Sequence, residues 1–218
     1  MFLGHFAVGF GSQRFAPRVP LPILLIAALF SDILGPTLSL LGWEHARIAP
    51  GRTQFVPLDL YDIPWSHSLL TTVIWATVLA LIYWLAQTDV IGSIVIWLDA
   101  ASHWMLDWIT HRPDLPLAPG MAAHYGLGLW NSIAGTMAVE IGMFGLAMWM
   151  YTLSTEPQDR VGKYMLISYS VALLLVYVSI PFSSPPTIIR QMDFASLSST
   201  IVFVNWAWWI SSHRCMRK

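Results

Sequence analysis

The chain has 218 residues, of which 56% are hydrophobic and only 11% are charged. Soluble domains carry about 25% charged residues, so this composition indicates an integral membrane protein and excludes an ordinary soluble fold. The net charge of −1 excludes a basic surface for nucleic acid. The single cysteine, Cys215, excludes an internal disulfide and a cysteine-rich metal site.

A membrane-spanning helix needs about 20 predominantly apolar residues. Six stretches come close to this length, and they lie at 20–42, 68–86, 90–110, 127–151, 163–182 and 198–212. Residues 2–12 are apolar but too few to span, which predicts a short half-inserted or interfacial helix. Pro, Gly and charged residues mark 43–66 and 112–126 as loops. The prediction is an all-α, polytopic transmembrane helix bundle of about six spans that forms one membrane domain over 1–218.

Lys and Arg residues in short loops favour the cytoplasmic side of a membrane. With six spans, one side carries seven of them: Arg14, Arg18, Arg160, Lys163, Arg214, Arg217 and Lys218. The other side carries four: Arg47, Arg52, Arg112 and Arg190. The count predicts that both chain ends are cytoplasmic, and that the polar end of the third span lies toward the outer side.

The third predicted span carries ionisable residues at intervals of four, Asp99, His103 and Asp107, and His111 follows at its end. Residues four apart lie on one face of a helix. A charged residue at the bilayer centre costs about 2.5–3.5 kcal/mol. No Lys or Arg lies well inside any predicted span to compensate this cost. The acids are therefore protonated, line a wet cavity or share a bound cation.

The residue types favour the cation, because His and carboxylate groups together are ligands of zinc, manganese and iron. We expect His103 and Asp107 to bind one divalent ion, with zinc the first choice, and His111 to join them or to bind a second ion. Asp99 either orients His103, as outer carboxylates do, or is a buried hydrogen-bonding group. Glu140 in the fourth span could equally be a buried hydrogen-bonding group.

Four segments, GHFAVGF, FSDILGP, SHSLL and SHWMLDWIT, occur in an order that is familiar. They resemble the YdjM-like family of inner-membrane, metal-dependent hydrolases over residues 1–145, the metal-site region, whereas 146–218 holds the C-terminal spans and no such motif. The resemblance implies a multi-span helical protein of the bacterial inner membrane. It implies metal ligands at His5, Asp32, His67, His103 and Asp107, with Glu140 as a sixth candidate. The chain departs from the family at IPWSHS, where Ser66 replaces a Thr and no Arg precedes it.

The same order of residues is more distantly similar to zinc-dependent phospholipases C, which cleave phosphodiesters. The leading hypothesis is therefore a membrane hydrolase that holds one or two divalent ions and acts on a phosphoester of a lipid-like substrate from the bilayer. Asp99 or Glu140 would accept the proton. Asn131, Ser132 and Arg112 would bind the substrate.

Two other functions stay open from the sequence. Chains of Asp, Glu and His within a membrane also form the relays of metal-ion or proton transporters, although no inverted repeat is present. A structural membrane protein with a polar core would need every acid to be protonated. An enzyme is expected to gather its acids in one pocket that opens on one side, whereas a transporter strings them along a path across the membrane.

Overall fold

The computed structural model describes residues 1–217, and most of them are helical. Eight α-helices follow one another in this range: α1 (Leu3–Ser12), α2 (Leu21–Ala28), α3 (Phe30–Leu41), α4 (Leu69–Gln87), α5 (Val90–Thr110), α6 (Ile133–Ser154), α7 (Arg160–Ser179) and α8 (Ile189–Ser212). Short 3₁₀ turns at Leu129–Asn131 and Ile180–Phe182 precede α6 and follow α7. The all-α class that the composition predicts is confirmed.

Three short antiparallel strand pairs lie at the two ends of the bundle. Their strands are β1 (His45–Ile48) with β2 (Leu58–Asp62), β3 (Leu115–Pro116) with β4 (His124–Tyr125), and β5 (Thr155–Pro157) with β6 (Arg214–Met216). The first two pairs lie in the two predicted loops, at the same end of the bundle. We call this end the cap end. The third pair joins the ends of α6 and α8 at the opposite end, which we call the tail end.

The long helices α4, α5, α6 and α7 begin at residues whose side chains accept a hydrogen bond from the first helical turn. Ser68, Asp89, Ser132 and Asp159 each bind the backbone N–H three residues further along the chain. Ser and Asp are favoured at this position because the first turn of a helix leaves its N–H groups without partners. The starts of these helices are therefore specified locally.

The short N-terminal helix, α1, is buried inside the bundle. Leu3, Phe6 and Phe10 are almost completely inaccessible to solvent, and the Phe10 ring packs edge-on against the Tyr151 ring of α6. A side chain at Gly9 would come within 2.7 Å of Leu25 in α2, so the absence of a Cβ permits this close approach. The burial of α1 brings its polar residue into the interior.

The first predicted span, 20–42, is broken into α2 and α3, which meet at an angle of 58°. Leu29 joins them with a backbone outside the helical region, at φ −96° and ψ 6°. The last helix, α8, begins at Ile189 and not at 198 as predicted. Its first turns contain Arg190, Gln191 and Asp193, and these polar residues hide the helix from a search for apolar stretches.

The outer surface of the helices is apolar. Leu85, Leu175 and Ile201 are each more than half exposed. Water-soluble monomers rarely expose large contiguous apolar patches, so this surface fits a lipid environment. Three helices in residues 1–217 are long and apolar enough to cross a membrane: Leu69–Gln87, Ile133–Ser154 and Arg160–Phe182. The bent pair of α2 and α3 makes a fourth if it is one span.

The predicted count of six spans is not reached by this measure. With 21 and 24 residues, α5 and α8 are long enough for a bilayer core of about 30 Å, but they are less apolar than the other long helices. In α5 the polar residues are Asp99, His103 and Asp107. The same residues that lower the hydropathy of this helix form the site described next.

The two ends of the described chain lie at different levels of the bundle. Met1 lies beside Asp107, one turn before the C-terminal end of α5, whereas β6 lies at the tail end. The sequence predicts that the two ends share one side of the membrane. From Met1, α1 runs into the interior, and α2 then returns toward the cap end. The side of the membrane on which each end lies stays a prediction.

Candidate metal centre

Two residues of α5 form the base of the site. His103 and Asp107 are one turn apart, both are buried, and His103 Nε2 lies 3.1 Å from Asp107 Oδ2. On its other side, His103 Nδ1 donates a hydrogen bond of 2.8 Å to the carbonyl oxygen of Ala28. This carbonyl is at the C-terminal end of α2, where the bend interrupts the helix.

Helices α1 and α3 contribute one residue each. The His5 ring stacks on the His103 ring with centroids 3.7 Å apart, and His5 Nε2 lies 3.0 Å from Asp107 Oδ1. Asp32 lies in the first turn of α3, with its carboxylate oxygens 3.9 Å from His5 Nε2 and 3.7 Å from His103 Nε2. The turn at Leu29 thus brings an acid toward two histidines.

His67, just before α4, completes the group. Its Nε2 lies 3.8 Å from Asp32 Oδ1 and 3.7 Å from Asp107 Oδ2. Its Nδ1 lies 2.6 Å from Ser66 Oγ, and the Ser66 hydroxyl donates to Glu44 at 2.5 Å. Since that hydroxyl hydrogen is given to Glu44, the serine oxygen accepts from His67 Nδ1. We call the five residues His5, Asp32, His67, His103 and Asp107 the His/Asp cluster.

His111 lies at the edge of the cluster. Its Nε2 is 3.7 Å from Asp107 Oδ1, and its Nδ1 donates to Asp114 at 3.0 Å. Its ring packs on Trp130, with centroids 4.2 Å apart. Asp114 fixes the orientation and tautomer of this imidazole, as carboxylates do for catalytic and metal-binding histidines in other proteins.

Three histidines at or beside the cluster have an oxygen acceptor at Nδ1: His67, His103 and His111. In a neutral imidazole with hydrogen on Nδ1, the lone pair is on Nε2. All three Nε2 atoms point toward carboxylate oxygens, which also carry lone pairs. His103 Nε2 and Asp107 Oδ2 accordingly make no hydrogen bond although they are buried close together. Imidazole nitrogens and carboxylate oxygens thus face each other with lone pairs and no hydrogen between them, and such atoms can coordinate a cation.

The distances fit a divalent metal ion. Zn–N and Zn–O bonds are about 2.0–2.2 Å, so two ligands of one ion lie no more than about 4.4 Å apart. The N···O distances within the cluster range from 3.0 to 3.9 Å. Two triads meet the geometry, His5 with His103 and Asp107, and Asp32 with His67 and His103. Because the triads share His103, they form one centre, and the buried cluster could hold a metal ion.

The charge of the cluster has no basic side chain to balance it. Within the described residues, neither Asp32 nor Asp107 pairs with a Lys or Arg. The amino group of Met1 donates to Asp107 Oδ1, which leaves Oδ2 and the Asp32 carboxylate facing the histidines. Asp32 is 33% exposed, whereas His5, His103 and Asp107 are at most 1% exposed. The cluster is therefore most open at Asp32.

Glu140 lies next to the cluster but has a different set of partners. Its Oε2 accepts hydrogen bonds from the backbone N–H groups of Phe2 and Gly4, at 2.9 and 3.1 Å. Glu140 thus caps the N-terminus of α1, where the helix dipole favours a negative charge. Through this cap, α6 fixes the helix that carries His5.

Asp99, one turn below His103, also points away from the cluster. Its carboxylate accepts a hydrogen bond from the Ser12 hydroxyl at 2.8 Å. Both residues border a cavity of about 350 Å³ that is otherwise lined by apolar side chains of α1, α5 and α6. Asp99 and Glu140 therefore have other partners than Asp32 and Asp107, the two acids of the cluster, although the sequence does not distinguish them.

The predicted substrate-binding residues lie in the cap. Ser132 uses its hydroxyl to begin α6, and Asn131 lies exposed in the turn before it. Arg112 contacts Asp59 and lies 3.3 Å from Asp114, so it is joined to His111 through a shared carboxylate. The structure brings Arg112 close to the cluster but leaves Asn131 and Ser132 without a contact to it.

Several residues of the site escaped the sequence analysis. Glu44 and Asp114 help to hold the outer nitrogens of two histidines, yet they lie in predicted loops and carry no motif. Ser66 lies in the SHSLL segment, but its contact with His67 was not predicted. Asp114 follows His111 by three residues and Ser66 adjoins His67, so proximity in sequence was a usable signal for both. Glu44 is 22 residues from Ser66, and only the folded loop brings them together.

Comparison of the chain with protein-family models, with curated proteins and with solved structures gives no match in any of the three.

Proposed function

We propose that this chain is a membrane-bound, metal-dependent hydrolase that acts on a phosphoester of a lipid-like substrate, as the resemblance to the YdjM-like family implies. The observation that carries the proposal is the convergence of three imidazoles and two carboxylates with no basic side chain, most of them buried. Zinc is the first choice of metal, because imidazole nitrogen and carboxylate oxygen are its ordinary ligands in catalytic sites. When bound, a divalent ion acts as a Lewis acid toward an ester oxygen and makes water more acidic.

The arrangement of the acids favours an enzyme over a transporter. Asp32 and Asp107 meet at one point that opens on one side, and α5 below Asp99 buries apolar residues such as Val95 and Ile96. A transporter needs polar groups along the whole path across the membrane. Between Asp99 and the N-terminus of α5, the helix has one buried polar side chain, Ser93, whose hydroxyl donates to the nearby Asp89 carbonyl.

His111 is the group that we assign to proton transfer. Its Nε2 lies 3.7 Å from Asp107 and its ring centroid lies 6.3 Å from that of His67, while Asp114 holds hydrogen on its Nδ1 so that Nε2 is free to accept a proton. In hydrolysis, the oxygen of water forms a bond to phosphorus while the ester P–O bond breaks. His111 Nε2 would take the proton from water and return it to the leaving oxygen.

The remaining predicted residues take supporting roles in this proposal. Glu140 is a positioning residue, because it caps the helix that carries His5. Asp99 and Ser12 border the apolar cavity, which has the character of a site for part of an acyl chain. Asn131 and Ser132 remain proposed substrate contacts from the cap, and they would reach a headgroup that enters at Asp32.

We further propose six spans, with α5 and α8 crossing the membrane beside the four more apolar segments. In a bundle, the polar face of α5 points inward and avoids lipid. The tail end, which carries Arg14, Arg18, Arg160 and Lys163, would face the cytoplasm of a bacterial inner membrane, in line with the positive-inside rule. The His/Asp cluster would then open toward the outer side.

The test is metal content by elemental mass spectrometry of the full chain, purified in detergent without a histidine tag. We expect one or two equivalents of a divalent metal in the wild type, and background levels in His103→Ala and Asp107→Asn. His124→Ala is the matched control, because this histidine lies exposed in the cap with its Nδ1 on a local carbonyl. A screen of phosphoester lipids then tests turnover. Metal-free wild type after reloading with zinc, manganese and iron would overturn the proposal.

A further inference from the structure

The arginines of the cap end are not scattered. Of the four Lys and Arg residues at this end of the chain, three converge on one acid, Asp59. Arg47 Nη2 lies 2.7 Å from Asp59 Oδ2, Arg52 Nε lies 3.6 Å from Oδ1, and Arg112 contacts Oδ1 directly. Three guanidinium groups thus surround a single carboxylate.

The positive charge of this group exceeds what its acids can balance. Asp59 is shared by three arginines, and Asp114 is shared by Arg112 and His111. The other acid of β2, Asp62, lies 3.0 Å from His45 Nδ1 and makes no salt bridge with the three arginines. A salt bridge that only fastens the hairpin needs one arginine, so the additional cations require another reason.

The arginine side chains of this group are exposed to solvent, whereas the acid that they share is buried. Asp59 is only 2% exposed, whereas the side chains of Arg47 and Arg52 are 67% and 48% exposed. The acid therefore lies behind the guanidinium groups and orients them, while their remaining N–H donors face outward. A guanidinium has five donors in a planar fork, which matches the oxygens of a phosphate.

The group is continuous with the His/Asp cluster. Arg112 directly follows His111, and both bind Asp114. His111 in turn faces Asp107. An anion held by the arginines would therefore lie on the cap beside His111, at the edge of the His/Asp cluster.

We propose that Arg47, Arg52 and Arg112 form an anion site on the cap beside His111, at the edge of the His/Asp cluster, and that the substrate is a lipid whose headgroup carries a phosphate monoester held there. This inference rests on the proposed function for the reaction itself. The binding of the phosphate is a property of the arginines and is measured without turnover.

The test is calorimetric titration of the full chain in a non-ionic detergent with three probes. These are short-chain phosphatidic acid, phosphatidylcholine of the same chain length, and inorganic phosphate. The variants are the double substitution Arg47→Gln with Arg52→Gln, which alters exposed side chains and so spares the fold, and Arg190→Gln. Arg190 is the matched control, because it is the fourth arginine of the cap end and does not contact Asp59. The metal content of each sample is measured first.

We expect the wild type to bind phosphatidic acid about tenfold more tightly than phosphatidylcholine, the effect of one charge-assisted hydrogen bond. The double variant should lose this preference with its metal content unchanged, and Arg190→Gln should keep it. A double variant that retains the preference would overturn the proposal, and so would an equal loss in Arg190→Gln, which would indicate general surface charge. Inorganic phosphate that binds as tightly as phosphatidic acid would overturn the lipid part. Absence of metal from the wild type would refute the proposed hydrolase. The preference for phosphatidic acid over phosphatidylcholine would still test the anion site.

Discussion

The two ends of the bundle contain the same pair of side chains in different surroundings. At the cap end, His111 binds Asp114, and their side chains are 3% and 8% exposed. At the tail end, His213 binds Asp159, and theirs are 31% and 46% exposed. The first pair has a free Nε2 beside a buried acid, whereas the second has water on most sides. A hydrogen-bonded His–Asp pair is therefore informative about function only together with its burial and its neighbours.

A second comparison concerns how helices begin at the two ends. Asp159 caps α7 from the adjacent position in the chain. Glu140 caps α1 from α6, which is 136 residues away from Gly4. The local cap stabilises one helix, whereas the long-range cap also fixes the position of α1 and hence of His5.

Replacement of His111 by alanine should produce the largest difference between the two ends. We expect phosphoester hydrolysis to fall by about 10²–10⁴-fold, the usual contribution of a general acid or base, while the metal content stays unchanged. The matched variant His213→Ala should hydrolyse as the wild type does. Initial rates against pH measure both. Loss of the metal from His111→Ala would instead make this residue a ligand.

Ser66→Ala should have the next largest effect, because it removes the acceptor of His67 Nδ1 and the bond to Glu44. Loss of such an outer partner costs about 10–100-fold in metal affinity or activity. The measurement is metal affinity by competition with a chelator. Ser211→Ala, whose hydroxyl bonds only to its own helix at the tail end, is the control. Equal affinities in the two variants would contradict the role of Ser66.

Glu140→Gln tests the long-range cap. The amide keeps an acceptor but loses the charge at the N-terminus of α1, and we expect the free energy of unfolding to fall by about 1–2 kcal/mol. Thermal unfolding in detergent, with and without added zinc, provides the measurement. If Glu140 accepted the proton in catalysis, activity would fall far more than stability, and the positioning role would be wrong.

Asp159→Asn should have the smallest effect and a distinct dependence on pH. The Gly162 backbone N–H and His213 bind the charged carboxylate, so the pKa of Asp159 lies below its usual value. A lowered pKa in the folded state adds stability above the pKa of the unfolded chain, about 4, and this stability is lost as the pH falls through the folded value. The unfolding temperature of the variant should therefore approach that of the wild type as the pH falls below about 4. A constant gap across this range would show that the charge is unimportant.

The sequence was sufficient for the parts of the molecule that depend on neighbours in the chain. The apolar stretches alone predict α4 and α5 to within one residue. The spacing of His103 and Asp107 likewise places them on one face of a helix. In each case the information lies within a few turns.

The remaining features depend on contacts between distant segments, which spacing does not encode. The sequence offers no distinction among Asp99, Asp107 and Glu140, since each is an acid in an apolar stretch. They differ in the folded chain because Ser12 binds the first, histidines surround the second, and the backbone of α1 binds the third. The role of Glu44 is hidden for the same reason.

The bend between α2 and α3 couples the shape of a helix to the composition of the cluster. The carbonyl of Ala28 orients His103, and Asp32 follows one turn after the same bend. A straight segment would move both the acceptor and the acid. An ion that binds the assembled cluster more tightly than the straight form also stabilises the bend. By thermodynamic linkage, the free energy by which the ion stabilises the bend equals the free energy by which the bend strengthens ion binding. Any change in bilayer thickness that alters this angle would therefore appear as a change in metal affinity.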